Sequence, residues 1–112
     1  MSRLDDTTSL RQMLDHAAEA LAFARGRTRD DLSADRTLQL VVTRLLEVLG
    51  EAARRVSEAA RSAHPEVPWR EIVGLRNRLI HGYDYIDFDL LWDIIEHDLP
   101  RLVAQLQAIL DE

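Results

Sequence analysis

The sequence predicts an all-α domain folded as an up-and-down four-helix bundle with short extra helical turns. Three observations predict it. Ala, Leu, Arg and Glu dominate, while aromatic residues make up only 5% of the chain, a balance that favours helices over strands. Apolar residues recur at three- and four-residue spacing along most of the length. Four glycines and three prolines fall mostly between those runs, where they punctuate them. With 112 residues, 46% of them hydrophobic, the chain suits one core, so residues 1–112 form a single domain.

The first helix runs from about Thr8 to Arg25, with Leu10, Met13, Leu14, Ala17, Ala20, Leu21 and Ala24 on one face, and Gly26 stops it. The polar stretch Arg27 to Arg36 is a connection holding one short helical turn, rich in cap residues such as Thr28 and Asp35. A second, longer helix spans about Asp35 to Ala63, its inward positions running from Leu38 to Ala59 and Ala60. Gly50 lies mid-helix, where glycine costs about 1 kcal/mol relative to alanine. Close approach of a neighbouring helix is the usual compensation. His64-Pro65-Glu66-Val67-Pro68 ends that helix, and Pro68 opens a third from about Trp69 to Ile80, closed by Gly82. Asp87 caps a fourth helix that reaches Ile109 or Leu110, which Pro100 should kink or split.

Composition narrows the chemistry. The absence of cysteine removes disulfides, thiolate metal sites and a cysteine nucleophile. No apolar run approaches the roughly 20 residues of a membrane span. Met1-Ser2-Arg3-Leu4-Asp5-Asp6 lacks the apolar stretch of a signal peptide, so a cytoplasmic protein with no membrane contact is expected. Net charge is −6, and all 14 basic residues are arginine. Any phosphate contact therefore depends on a local cluster of guanidinium groups.

One window breaks the apolar pattern: Ile72-Val73-Gly74-Leu75-Arg76-Asn77-Arg78-Leu79-Ile80-His81-Gly82-Tyr83. On a regular helix Arg76 falls near the middle of the apolar side formed by Ile72, Val73, Leu75, Leu79 and Ile80. Such a guanidinium pairs with an acid such as Glu51, reaches a cleft, or lies at a subunit interface, because an unpaired buried charge costs several kcal/mol. Arg76 and His81 are five apart, about 140° around a helix, too far to converge unless the helix ends first or a second protomer supplies one of them. His16, His64 and His97 share no metal-ligand spacing, and no glycine-rich phosphate loop or nucleophile elbow is present. Histidine exchanges protons near neutral pH, and arginine holds phosphate and stabilises developing charge. The set fits metal-free RNA cleavage, and the same groups also suit simple nucleotide binding.

Arg76-Asn77-Arg78-Leu79-Ile80-His81-Gly82-Tyr83 resembles the R-x4-H-x-Y motif of HepT-like toxins in the HEPN superfamily. Leu49-Gly50-Glu51-Ala52-Ala53, Pro68-Trp69-Arg70-Glu71-Ile72 and Asp87-Phe88-Asp89-Leu90-Leu91-Trp92 resemble its flanks, so the likeness covers about Leu10 to Leu110. It implies an antiparallel four-helix bundle that forms a homodimer around a basic cleft. It further implies a metal-independent endoribonuclease with no cofactor, leaving a cyclic phosphate. In it His81 would be general base or acid, Arg76 would bind the scissile phosphate and Asn77 would orient the site, with Glu51 and Arg78 supporting. The implied partner is an MNT-type nucleotidyltransferase antitoxin that transfers AMP from ATP to Tyr83, with Tyr85 a second hydroxyl close by. Two other readings stand beside the toxin: a non-catalytic subunit that binds nucleotide or positions the nucleotidyltransferase, and a plain structural dimer module.

Overall fold

Two helices of some twenty residues form the body of the molecule: α1 (Arg3–Ala24) and α3 (Arg36–Arg54), with α2 (Arg29–Ala34) between them. The computed structural model describes the backbone of residues 3–81 and 85–112 and the side chains of residues 5–80 and 85–112. Gly26, at φ +75°, follows the end of α1, a conformation that costs glycine little and a side-chain-bearing residue more. In α2 the Thr28 hydroxyl accepts from Asp31 N–H while the Asp31 carboxylate accepts from Thr28 N–H, a reciprocal cap. Asp35 then caps α3 by accepting from Leu38 N–H at 3.0 Å. That bond, together with one from Arg27, holds its carboxyl below the usual range against some desolvation.

The second expected helix is two. It breaks after Arg54, and Ser57 caps a separate α4 (Glu58–Ala63), its hydroxyl accepting from Ala60 N–H at 3.2 Å. The restart turns Ala59, expected inward, out to solvent. Asp6 of α1 fixes the break: its carboxylate accepts from Ser57 N–H at 2.8 Å and from the Ser57 hydroxyl at 2.6 Å. The free carbonyls at the end of α3 are taken by Arg61, which donates to Ala53 O and Arg54 O at 3.0 Å each and to Val56 O at 3.1 Å.

The third helix is also two, α5 (Trp69–Val73) and α6 (Leu75–Leu79), joined through Gly74. Buried Trp69 anchors the start by donating from its indole N–H to His64 O at 3.0 Å. After α6 comes an antiparallel ladder that the sequence did not announce: β1 (Ile80–His81) pairs with β2 (Tyr85–Ile86), Ile80 opposite Ile86 and His81 opposite Tyr85. Gly82 and the turn around Asp84 lie outside the described residues.

The fourth helical stretch begins where expected, Asp87 accepting from Leu90 N–H at 3.0 Å to cap α7 (Phe88–Asp93). It continues through a π-helical turn, Ile94–Asp98, into α8 (Leu99–Leu110). Pro100 sits in the first turn of α8, and the strain expected of it is taken up just upstream, where Leu99 N–H reaches back to Ile94 O.

These pieces build an all-α bundle. α1 packs along α3 and α8, while α3 also carries α5 and α6. Met13, Ala17, Val42, Leu46, Leu49, Leu91, Leu99 and Leu106 are almost wholly removed from water. Burying each of the larger side chains contributes roughly 1.5–3 kcal/mol. The molecule measures 42 × 30 × 19 Å, about two helix diameters in its thinnest direction. Among the described residues no helix is long and apolar enough to cross a membrane.

Candidate functional site

Gly50 sets the geometry of the site. A Cβ built there would stand 2.8 Å from Ile72 O and 3.7 Å from Val73 O. The backbones of α3 and α5 therefore meet where only a hydrogen fits, and the compensation expected for a mid-helix glycine is present. Around that contact the two walls diverge into an open cleft of about 380 Å³. From α3 the face three before, one after and four after Gly50 supplies Glu47, Glu51 and Arg54. The other wall carries Val73, Arg76, Asn77 and Ile80.

Arg76 is exposed, not embedded in an apolar side. The reason is Gly74. With the chain broken there, one helical wheel cannot span Ile72 to Ile80; α5 buries Trp69 and Ile72, α6 buries Leu75 and Leu79, and Arg76 is left facing water. No ion pair joins it to Glu51, and its guanidinium makes no hydrogen bond or ion pair with any described residue. Glu47 is engaged with Arg44 at 3.6 Å. The charged lining residues, Glu47 and Glu51 against Arg54 and Arg76, balance, so the cleft is neutral on an acidic protein.

The structure thus brings together Arg76, Asn77 and Glu51. Arg78 lies elsewhere: it lines a narrow apolar groove with Leu49, Leu75 and Leu99, its guanidinium donating to Glu71 O at 3.4 Å. For His81 the backbone alone is described. α6 ends at Leu79 and Ile80 is extended (φ −110°, ψ 120°), so His81 stands off the helical lattice that would have held it about 140° from Arg76. Tyr83 lies outside the described residues, and Tyr85 is 68% exposed. Glu47 and Arg54 were missed from the sequence. Their signal was the charged stripe three before and four after a mid-helix glycine, positions that share one face.

A small helical bundle with two guanidiniums in one open cleft has the donors that an anion would need. Sequence relationships place it more closely. The chain belongs to the HepT-like ribonuclease family, whose model, "Ribonuclease HepT-like", matches residues 13–109. It is 35% identical over 109 residues to "Putative RNase MJ1380" of Methanocaldococcus jannaschii, covering 97% of this chain and 100% of the relative. It is 33% identical over 105 residues to "Probable ribonuclease HepT" of Thermococcus cleftensis, covering 90% and 96% of the two chains. A third relative, "Putative RNase TTE0752" of Caldanaerobacter subterraneus, is 32% identical over 106 residues, covering 91% and 95%. No solved structure matches the chain.

Proposed function

We propose that this protein is a metal-independent endoribonuclease that acts as the toxin of a HepT/MNT pair. The observation that carries the reading is the Arg76 guanidinium, which lines the cleft beside Asn77, five residues before His81, with no described partner. A phosphodiester is the natural counter-ion for a guanidinium so placed.

The reaction balances with the chain's own groups. His81 takes the proton from a ribose 2′-hydroxyl as that oxygen bonds to the adjacent phosphorus. The bond from phosphorus to the 5′-oxygen breaks, and that oxygen takes a proton from the conjugate acid. The products are a 2′,3′-cyclic phosphate and a 5′-hydroxyl. Arg76 binds the non-bridging oxygens and stabilises the charge that grows on them. Asn77, one residue on, orients the strand, and Glu51 supports the site from the α3 wall of the cleft. In a homodimer the second protomer would close the cleft. Half-exposed Leu40, on the same helix as Glu47 and Glu51, offers apolar surface for that contact. The proposed partner is a nucleotidyltransferase antitoxin that places AMP on Tyr83, adding negative charge and bulk two residues after His81 in the sequence.

Cleavage of RNA in EDTA tests the reading, with protein shown by intact mass to carry no AMP. Wild type should cut and leave a cyclic phosphate. His81→Ala should lose activity by about 10²- to 10⁴-fold, and Arg76→Ala by about 10²- to 10³-fold, with helicity retained. Equal cleavage by wild type and His81→Ala would refute the assignment. Absence of cleavage by wild type, with RNA still bound, would favour the non-catalytic binding subunit.

A further inference from the structure

The cleft holds a second guanidinium that the cleavage chemistry does not use. Arg54 stands on the α3 wall, opposite the wall that carries Arg76, and like Arg76 it makes no side-chain hydrogen bond or ion pair with any described residue. Two local uses for it are absent. Basic residues in the last turn of a helix commonly serve the free carbonyls there, but at this terminus Arg61 already donates to Ala53 O, Arg54 O and Val56 O. Glu51 lies three residues earlier on the same helix, the spacing at which Arg44 and Glu47 pair at 3.6 Å, yet Glu51 and Arg54 do not pair. A guanidinium is thus held in the cleft without a structural task.

We infer that Arg54 binds a second phosphate of the RNA strand, next to the scissile phosphate held by Arg76, so that the strand crosses the cleft from one wall to the other. The inference rests on the cleft being the RNA site proposed above. A guanidinium fork saturates one phosphate through paired N–H donors, and two forks on separate walls suit successive phosphates of a strand. Arg54 is a binding residue in this scheme: it fixes register and minimum substrate length, and it takes no part in bond making.

The experiment uses full-length, AMP-free protein and two uncleavable probes. One is a 2′-O-methyl oligonucleotide of about ten residues, followed by fluorescence anisotropy across a salt series. The other is a 2′-O-methyl dinucleoside monophosphate, with a single phosphate, used as competitor. Arg54→Ala should weaken oligonucleotide binding several-fold and lower the slope of log K against log salt by about 0.7, the value for one lost single-strand phosphate contact. Competition by the dinucleoside should not change. Arg76→Ala should weaken both probes. Arg54→Gln, which keeps the length and polarity of the side chain, should behave as Arg54→Ala, and circular dichroism of both variants should match wild type. An unchanged slope and affinity in Arg54→Ala, equal weakening of both probes, or no oligonucleotide binding by wild type would each overturn the inference. Catalysis is read separately: Arg54-dependent binding without cleavage of unmodified RNA would remove the ribonuclease reading and leave this one standing.

Discussion

A single carboxylate ties the first helix to the break in the second. Asp6 accepts two hydrogen bonds from Ser57, whose hydroxyl caps α4. The hydroxyl bond, and then the backbone bond, hold the Asp6 carboxyl below its ordinary value of 3.8, with desolvation opposing them. A carboxyl lowered in the folded state contributes stability that is fully present above the ordinary value. That contribution is lost as pH falls below 3.8 and through the folded value. Urea unfolding at neutral pH and at about pH 3 should therefore show a smaller acid-induced loss for Asp6→Asn than for wild type. An identical loss in the two proteins would mean that this contact carries none of the pH dependence. Ser57→Ala, which removes the cap as well as one bond to Asp6, should cost about 1–2 kcal/mol at neutral pH.

Among the elements, α3 and the α5–α6 pair decide where the site residues stand. Gly50 lets the backbones touch, and Gly74 frees α6 from the direction of α5, so that Arg76 opens into the cleft. Gly50→Ala would place its Cβ 2.8 Å from Ile72 O, a backbone atom that cannot rotate away. The variant should lose about 1–3 kcal/mol as the two helices separate. Because Arg76 rides on the displaced wall, RNA affinity should fall even at temperatures where the fold persists. Thermal unfolding and oligonucleotide binding, measured together, check both parts. A Gly50→Ala protein with wild-type melting temperature and affinity would show that the close approach does not hold the cleft.

Taken whole, the molecule is a thin slab of helices in which one cleft gathers two guanidiniums, Arg54 and Arg76, that have no partner among the described residues. On the proposed reading, Tyr83→Phe should remain toxic in cells and should resist neutralisation by a co-expressed nucleotidyltransferase, whereas wild type gains AMP mass and loses activity. Unchanged modification of the Phe variant would point to Tyr85, which is 68% exposed on β2, or to another acceptor.

Much of this was legible in the chain itself. The all-α class, the stop at Gly26, the caps at Asp35 and Asp87 and the close approach at Gly50 all follow from local stereochemistry: side-chain oxygens seek free N–H groups at helix starts, and glycine tolerates geometry that a Cβ forbids. Arg76 and Asn77 stood out through the motif that they share with HepT-like proteins, whereas the wheel that set Arg76 on an apolar side failed because the helix breaks at Gly74. The breaks at Ser57 and Gly74, the ladder between Ile80 and Ile86 and the gathering of Glu47, Arg54 and Arg76 around one cleft were decided only by the tertiary structure. Each depends on a partner distant in sequence: Asp6 for Ser57, the α3 backbone for α5, and β2 for the chain after Leu79. Periodicity reports which face of a helix is apolar. It carries no information about which other segment will arrive to compete for its hydrogen bonds, and that competition set the position of the candidate site.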